Sequence, residues 1–229
     1  MKRRSAVIAG IGLTIVAVIA ASYLFLGQQQ IMNVDDEGTT SIDREALGST
    51  INQMTKGTLT DLEKQGILYM REEEKLARDV YLKLQEKWGL QIFNNIADAE
   101  LTHMEAVKTL IDKYELEDPA TQEIGKFNNP TLQQLYNDLV QEGNKSLHDA
   151  LKVGAAIEEI DIIDLKEYLG QTEKEDIELV YENLMKGSRN HLRAFVKTIE
   201  NQGYTYTPQY LSQEEYDEIV GSPTEKGRD

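Results

Sequence analysis

From residue 60 onward, apolar residues recur every three and four positions, and four stretches sustain this long enough to predict helices. The first starts near Thr60, with Glu63 three residues on in capping-box spacing, and stops at Gly89. Its stripe reads Ile67, Met70, Glu74, Ala77, Tyr81, Leu84, Trp88. The second runs from about Gln91 to Glu115, ahead of Pro119, with the stripe Phe93, Ile96, Glu100, His103, Val107, Leu110, Tyr114. The third spans Ser146 to Gly170 through Leu147, Leu151, Gly154, Glu158, Asp161, Leu165 and Tyr168. The fourth spans Thr172 to about Gly203 through Ile177, Tyr181, Leu184, Ser188, His191 and Phe195. Shorter helices are expected at Pro130–Gln141, where Asn129 is the cap and Pro130 suits the first turn, and around Ser212–Ile219. Strand patterns are almost absent.

Four helices that each carry one apolar stripe bury those stripes against one another, which predicts an all-α four-helix bundle over residues 59–220. Short links join the first helix to the second and the third to the fourth. The long link between the second and third can cross the bundle, which is the ferritin-like topology with a long crossover between helices two and three.

The N-terminal part reads differently. Lys2-Arg3-Arg4 precede an uncharged, mostly apolar run over residues 6–26, long enough for a bilayer-spanning helix. Residues 1–27 are therefore expected to form a transmembrane anchor with the rest of the chain outside the cytoplasm, as a single-pass protein of the cell membrane. A cleaved signal segment and a secreted product is the competing reading, with Ala20-Ala21-Ser22 as the best cleavage site. Residues 28–58 are polar and rich in Gly, Ser, Thr and Asp, and read as a flexible tether; residues 221–229 read as a disordered tail.

Composition narrows the partners. The net charge of −16 disfavours nucleic acid and anionic lipid for the part beyond the N-terminal bases. Without cysteine there is no disulfide, no lipoprotein anchor and no thiolate ligand. The expected partner is the membrane, through the N-terminal helix; a homo-oligomer is left open.

The polar exceptions within the stripes carry the chemistry. They are Glu74 in the first helix, Glu100 and His103 in the second, Glu158 and Asp161 in the third, and His191 in the fourth. Two of the three histidines of the chain sit on core-facing positions, whereas His148 lies beside its stripe and reads as a surface residue. A buried carboxylate is costly unless paired or bound to metal, and Glu100 and His103, at i and i+3, can point at one ion. Carboxylate oxygens with imidazole nitrogens suit iron, manganese or zinc. Against metal binding stands a buried polar network without metal, and against an enzyme stands a non-enzymatic bundle that binds a partner or stores metal at the cell surface. Glu72 and Glu73 read as a solvated face, Tyr81 as a core aromatic, and Ser188 and Gly154 as positions that relieve crowding. Asp161 is also open to a salt bridge with Arg189 or Arg193.

The segment Glu74-Lys75-Leu76-Ala77-Arg78-Asp79-Val80-Tyr81 resembles the Glu-x-x-Ala-Arg-x-x-Tyr segment of rubrerythrin-type ferritin-like proteins, and Glu100-Leu101-Thr102-His103 resembles their second-helix ligand pair. Residues 60–220 resemble more closely an uncharacterised ferritin-like family, domain of unknown function 2202, through Tyr69 to Tyr81, Ile157-Glu158-Glu159-Ile160-Asp161 and Gly187-Ser188-Arg189-Asn190-His191-Leu192. The resemblance implies the fold, a metal site at the six stripe residues, and iron-dependent oxidase, ferroxidase or peroxidase chemistry. One departure stands out. The rubrerythrin-type fourth helix carries Glu before its His, whereas Gly187 and Ser188 occupy positions i−4 and i−3 from His191 here. The ligand set therefore leaves open two ions, one, or none.

Overall fold

The computed structural model describes residues 30–226. A two-stranded antiparallel hairpin, β1 (Met32–Val34) and β2 (Thr40–Ile42), leads into α1 (Arg44–Ile51). Four long helices follow, α2 (Asp61–Trp88), α3 (Gln91–Tyr114), α5 (Leu147–Leu169) and α6 (Glu175–Asn201). The shorter α4 (Pro130–Gly143) interrupts the connection from α3 to α5, and α7 (Gln213–Gly221) follows α6. The long helices end where local chemistry stops them. The Thr60 hydroxyl accepts the Glu63 N–H while the Glu63 carboxylate accepts the Thr60 N–H, and Gly89 closes α2 in the left-handed region at φ 66°. Asn129 and Ser146 cap α4 and α5 through their side chains.

The two-residue link Gly89-Leu90 returns α3 along α2, and the turn after Leu169 returns α6 along α5; each pair packs side by side. Two apolar clusters fill the interior. One gathers Tyr81, Phe93 and Phe195 with Leu151 and Leu192; the other gathers Ile67, Met70, Leu110, Tyr181 and Leu184. Gly154 makes room for Phe195, since a Cβ there would run into the phenyl ring. The crossover is pinned by buried charges on one side of α2. Arg71 holds Asp118 with two hydrogen bonds, Glu72 accepts the Asn128 and Asn129 N–H groups, and Asp79 accepts that of Gly125. Lys75 bonds Asp79 and the Glu123 carbonyl, with its ammonium 4.4 Å from the centre of the Phe127 ring.

Three expectations are corrected. The run 6–26, on which the membrane-spanning or signal segment rested, lies outside the described residues, and no helix among those described is long and apolar enough to cross a membrane. The expected transmembrane helix and the single-pass location in the cell membrane thus have no support; the described architecture is all-α, with seven helices and one small hairpin. Even the apolar α5 carries Glu158, Glu159 and Asp161 at its middle, which hydrocarbon would penalise heavily. The stretch expected to be a flexible tether instead forms the hairpin and α1, and buries Met32, Thr40, Leu47 and Ile51. The tail expected to be disordered docks as far as it is described: Glu225 pairs with Arg189 and Arg193, and its backbone N–H donates to Asn190.

Candidate metal centre

The 3.6-residue repeat that makes each stripe apolar also aims its polar exceptions inward. Glu74, Glu100, His103, Glu158, Asp161 and His191 all have no solvent exposure. They come from all four long helices and meet between the two apolar clusters. Glu100 is the hub. One of its oxygens lies 2.9 Å from His103 Nδ1 and the other 2.9 Å from His191 Nδ1. His103 Nδ1 is also 3.4 Å from Glu74, and His191 Nδ1 is 3.6 Å from Glu158. Donor atoms of Glu74, Glu100 and Asp161 lie within 4.8 Å of one another, as do those of Glu100, His103 and His191. The imidazole rings stack with centroids 5.3 Å apart.

These close approaches lack hydrogen-bond alignment. Both oxygens of Glu74, Glu100 and Asp161, one of Glu158, and Nδ1 of each histidine have no hydrogen-bond partner. In folded proteins buried polar atoms are paired almost without exception, because an unpaired one loses its hydration for nothing. Ligand atoms sharing one ion at about 2.1 Å are themselves about 3 Å apart. The spacing and the unsatisfied atoms thus fit a divalent transition ion, and the N/O donor set matches iron, manganese or zinc.

The electrostatics of these side chains show the same tension. Burial pushes the Glu74 carboxyl up to about 8, with Glu100 adding to the rise and His103 offsetting part of it. Burial, then the surrounding carboxylates led by Glu74, drives Asp161 well above the usual range, and Glu158 rises through burial and Glu100. For Glu100 the upward push of burial is outweighed by His103 and His191, which hold its carboxyl below the usual range. Burial would lower both histidines, but neighbouring carboxylates outweigh it, raising His103 well above its ordinary value and His191 to about 9. A second proton on His191 is opposed by geometry, because the Thr40 N–H points at its Nε2 from 3.0 Å and would face another donor.

The surroundings explain the departure in α6. A Cβ at position 187 would lie 2.5 Å from His103 Cε1 and 2.7 Å from Nε2. Gly187 therefore creates the space in which the His103 ring sits, and no carboxylate fits there. The Ser188 hydroxyl is engaged by the Leu184 carbonyl. Arg189 and Arg193 pair with Glu225 and not with Asp161.

Several residues of the site escape the stripe reading. Tyr81, expected as a core aromatic, donates to Glu158 Oε1 at 2.6 Å and so orients that carboxylate. Glu72 and Glu73, expected on a solvated face, are both buried. Burial followed by the Asp164 carboxyl raises Glu73 well above the usual range, and the charge of Glu73 adds in turn to the rise at Asp161. Thr40 touches both histidines, and its hydroxyl accepts from Asn190 Nδ2 at 2.8 Å. The signal for its hairpin was local and short: Asp35 accepts the Glu37 and Thr39 N–H groups, Gly38 takes φ 89°, and Asp43 caps α1. His148, expected at the surface, is half-buried and stacks on Tyr204.

Fold and site together define a helical protein with a buried carboxylate–imidazole cluster. Residues 63–223 match the family described as uncharacterized protein domain DUF2202, and the chain belongs to that family. It is 57% identical over 178 residues, spanning 77% of this chain and 96% of the relative, to the uncharacterized protein MJ0754 of Methanocaldococcus jannaschii. It is also similar to the crystal structure of the hypothetical protein MJ0754 from Methanococcus jannaschii, with a TM-score of 0.74 and 58% identity over 75% of this chain and 99% of that chain.

Proposed function

We propose that this chain is a metalloprotein of the ferritin-like kind whose buried centre binds a divalent transition metal, iron first among the candidates, for oxidase, ferroxidase or peroxidase chemistry. The observation that carries the reading is the convergence of unpartnered, fully buried donor atoms in two groups that share Glu100, one with Glu74 and Asp161 and the other with His103 and His191, with Glu158 beside them. A metal-free polar network would satisfy its members with one another's protons; this one leaves them facing each other across 2.9–3.6 Å without alignment. An iron ion held there would supply one-electron redox chemistry towards dioxygen or peroxide. The protein's part is to hold the donors in place and keep water out. Tyr81 fixes Glu158, Gly187 admits the His103 ring, and Tyr81 packs with Phe93 and Phe195, the tilted rings 5.3–6.5 Å apart. Electrons would come from a separate partner, because the chain has no cysteine for an iron–sulfur or rubredoxin-type site.

Anaerobic loading of the purified chain with Fe(II), then desalting and metal analysis, tests the reading. Iron retained at about one ion per chain or more is the expected result. Only trace iron, with the same outcome for Mn(II) and Zn(II), overturns it.

A further inference from the structure

Thr40 stands between the two histidines and presents opposite chemistry to each. Its carbonyl oxygen lies 3.1 Å from His103 Nε2, and its N–H donates to His191 Nε2 at 3.0 Å. A backbone carbonyl only accepts and a backbone N–H only donates, so one peptide strand dictates different proton positions on two rings. His103 must carry a proton on Nε2, which leaves the lone pair of Nδ1 facing Glu74 and Glu100. This is the arrangement of a metal-binding histidine whose far nitrogen is fixed by a carbonyl. On His191 the far nitrogen is the acceptor, so the single proton of the neutral ring sits on Nδ1, facing Glu100 and Glu158. In that form His191 has no lone pair to give a metal.

Resting on the metal-centre reading above, we infer that Thr40 divides the two histidines: His103 is a metal ligand, and His191 is a positioning residue that places a protonated Nδ1, and no lone pair, 2.9 Å from Glu100 and 3.6 Å from Glu158. Several features agree with the division. Helix α6 supplies no carboxylate, because Gly187 is occupied by the His103 ring and Ser188 is bonded to Leu184. Thr40 is itself locked: its hydroxyl accepts from Asn190 and donates to the Gly38 carbonyl, and the Ile42 N–H two residues on donates to Thr102 of α3. Asn190 is held in turn by Glu225 and Arg193. With α6 providing no ligand, Glu74 and Glu100, which lie 3.4 and 2.9 Å from His103 Nδ1, suit one ion beside His103 better than a symmetric pair.

The test places protons directly. The full chain, uniformly 15N-labelled and loaded with Zn(II), is examined by two-bond nitrogen–proton correlation of the imidazole rings, assigned through His103→Gln and His191→Gln. The expected pattern is a proton on His103 Nε2 with zinc on its Nδ1, and a proton on His191 Nδ1 with a bare, zinc-free Nε2. In zinc titrations, His103→Gln should weaken binding by well over about a hundredfold, and His191→Gln, which touches only the ligands, by about ten- to a hundredfold. Zinc on His191 Nδ1, or equal losses in the two variants, overturns the division while leaving the metal centre standing. No zinc uptake by the unaltered chain removes the metal centre and the division with it.

Discussion

Glu158 and Glu159 are neighbours on α5, both without solvent exposure, and they meet opposite surroundings. Glu159 is saturated. Its carboxylate accepts from the Tyr206 hydroxyl and from the N–H groups of Gln209, Tyr210 and Leu211 at 2.5–2.9 Å. Glu158 takes one hydrogen bond from Tyr81 and leaves its other oxygen unpartnered, towards His191. Helix α2 repeats the contrast within three residues, where Glu72 is filled by the crossover N–H groups and Glu74 has both oxygens open in the centre. A buried carboxylate whose donors come from a loop backbone is a fastener. One left open beside an imidazole nitrogen, as Glu74 is beside His103 and Glu158 beside His191, can hold an ion. Burial does not distinguish them; the identity of the nearest donors does.

The contrast is most exposed to failure at Glu100. Glu100→Ala is expected to lower metal affinity by more than about a hundredfold, while helical circular dichroism stays intact. Metal content equal to that of the unaltered chain would show that the hub of the cluster is not a ligand. The converse substitution, Glu159→Ala, should leave metal stoichiometry unchanged but cost about 3–5 kcal/mol in urea unfolding, because three backbone N–H groups and a hydroxyl lose their acceptor. A loss under about 1 kcal/mol would mean that the C-terminal segment re-forms its bonds with water.

Acid–base behaviour sharpens the same comparison. The Glu74 carboxyl titrates at about 8 in the folded metal-free chain against an ordinary value of 4.5. Between those values the folded state keeps a proton that the unfolded state has lost, so stability falls as pH rises from 4.5 to about 8. Glu158 and Asp161 act in the same direction, whereas Glu100, held low, withdraws stability only as pH drops below its ordinary value. Urea unfolding of the metal-free chain should therefore show a downward slope on the order of 1 kcal/mol per pH unit, and Glu74→Gln should flatten it. An identical slope in that variant would place the titration elsewhere. Smallest is Tyr81→Phe, which removes one hydrogen bond to Glu158 and should cost about 1 kcal/mol, with metal still bound. Complete loss of metal would raise Tyr81 from an orienting residue to an essential one.

Much of this was legible along the chain. The capping box at Thr60 and Glu63, Gly89 as a left-handed stop, Asn129 before Pro130 and Ser146 before α5 are local signals, and helices start or stop at each of them. The stripes also singled out the six polar residues that meet in the interior, and chose Glu74 over Glu72 and Glu73 as the one that points into the cluster. The hairpin was hidden because three-residue strands carry too little periodicity, and its Asp-rich turn resembles a solvated linker. The burial of Glu72 and Glu73 was hidden because their cover comes from residues far along the chain, the crossover for Glu72 and α5 for Glu73.

By itself, then, the sequence determined which helices form and which side chains each turns inward, since both follow from caps and a 3.6-residue repeat within one segment. Only the tertiary structure decided which buried carboxylates are satisfied and which are left open, why position 187 must be glycine, and how Thr40 meets both histidines. Those depend on atoms brought together across as many as 151 residues, and a hydrogen bond or its absence is a property of that meeting and not of either partner alone.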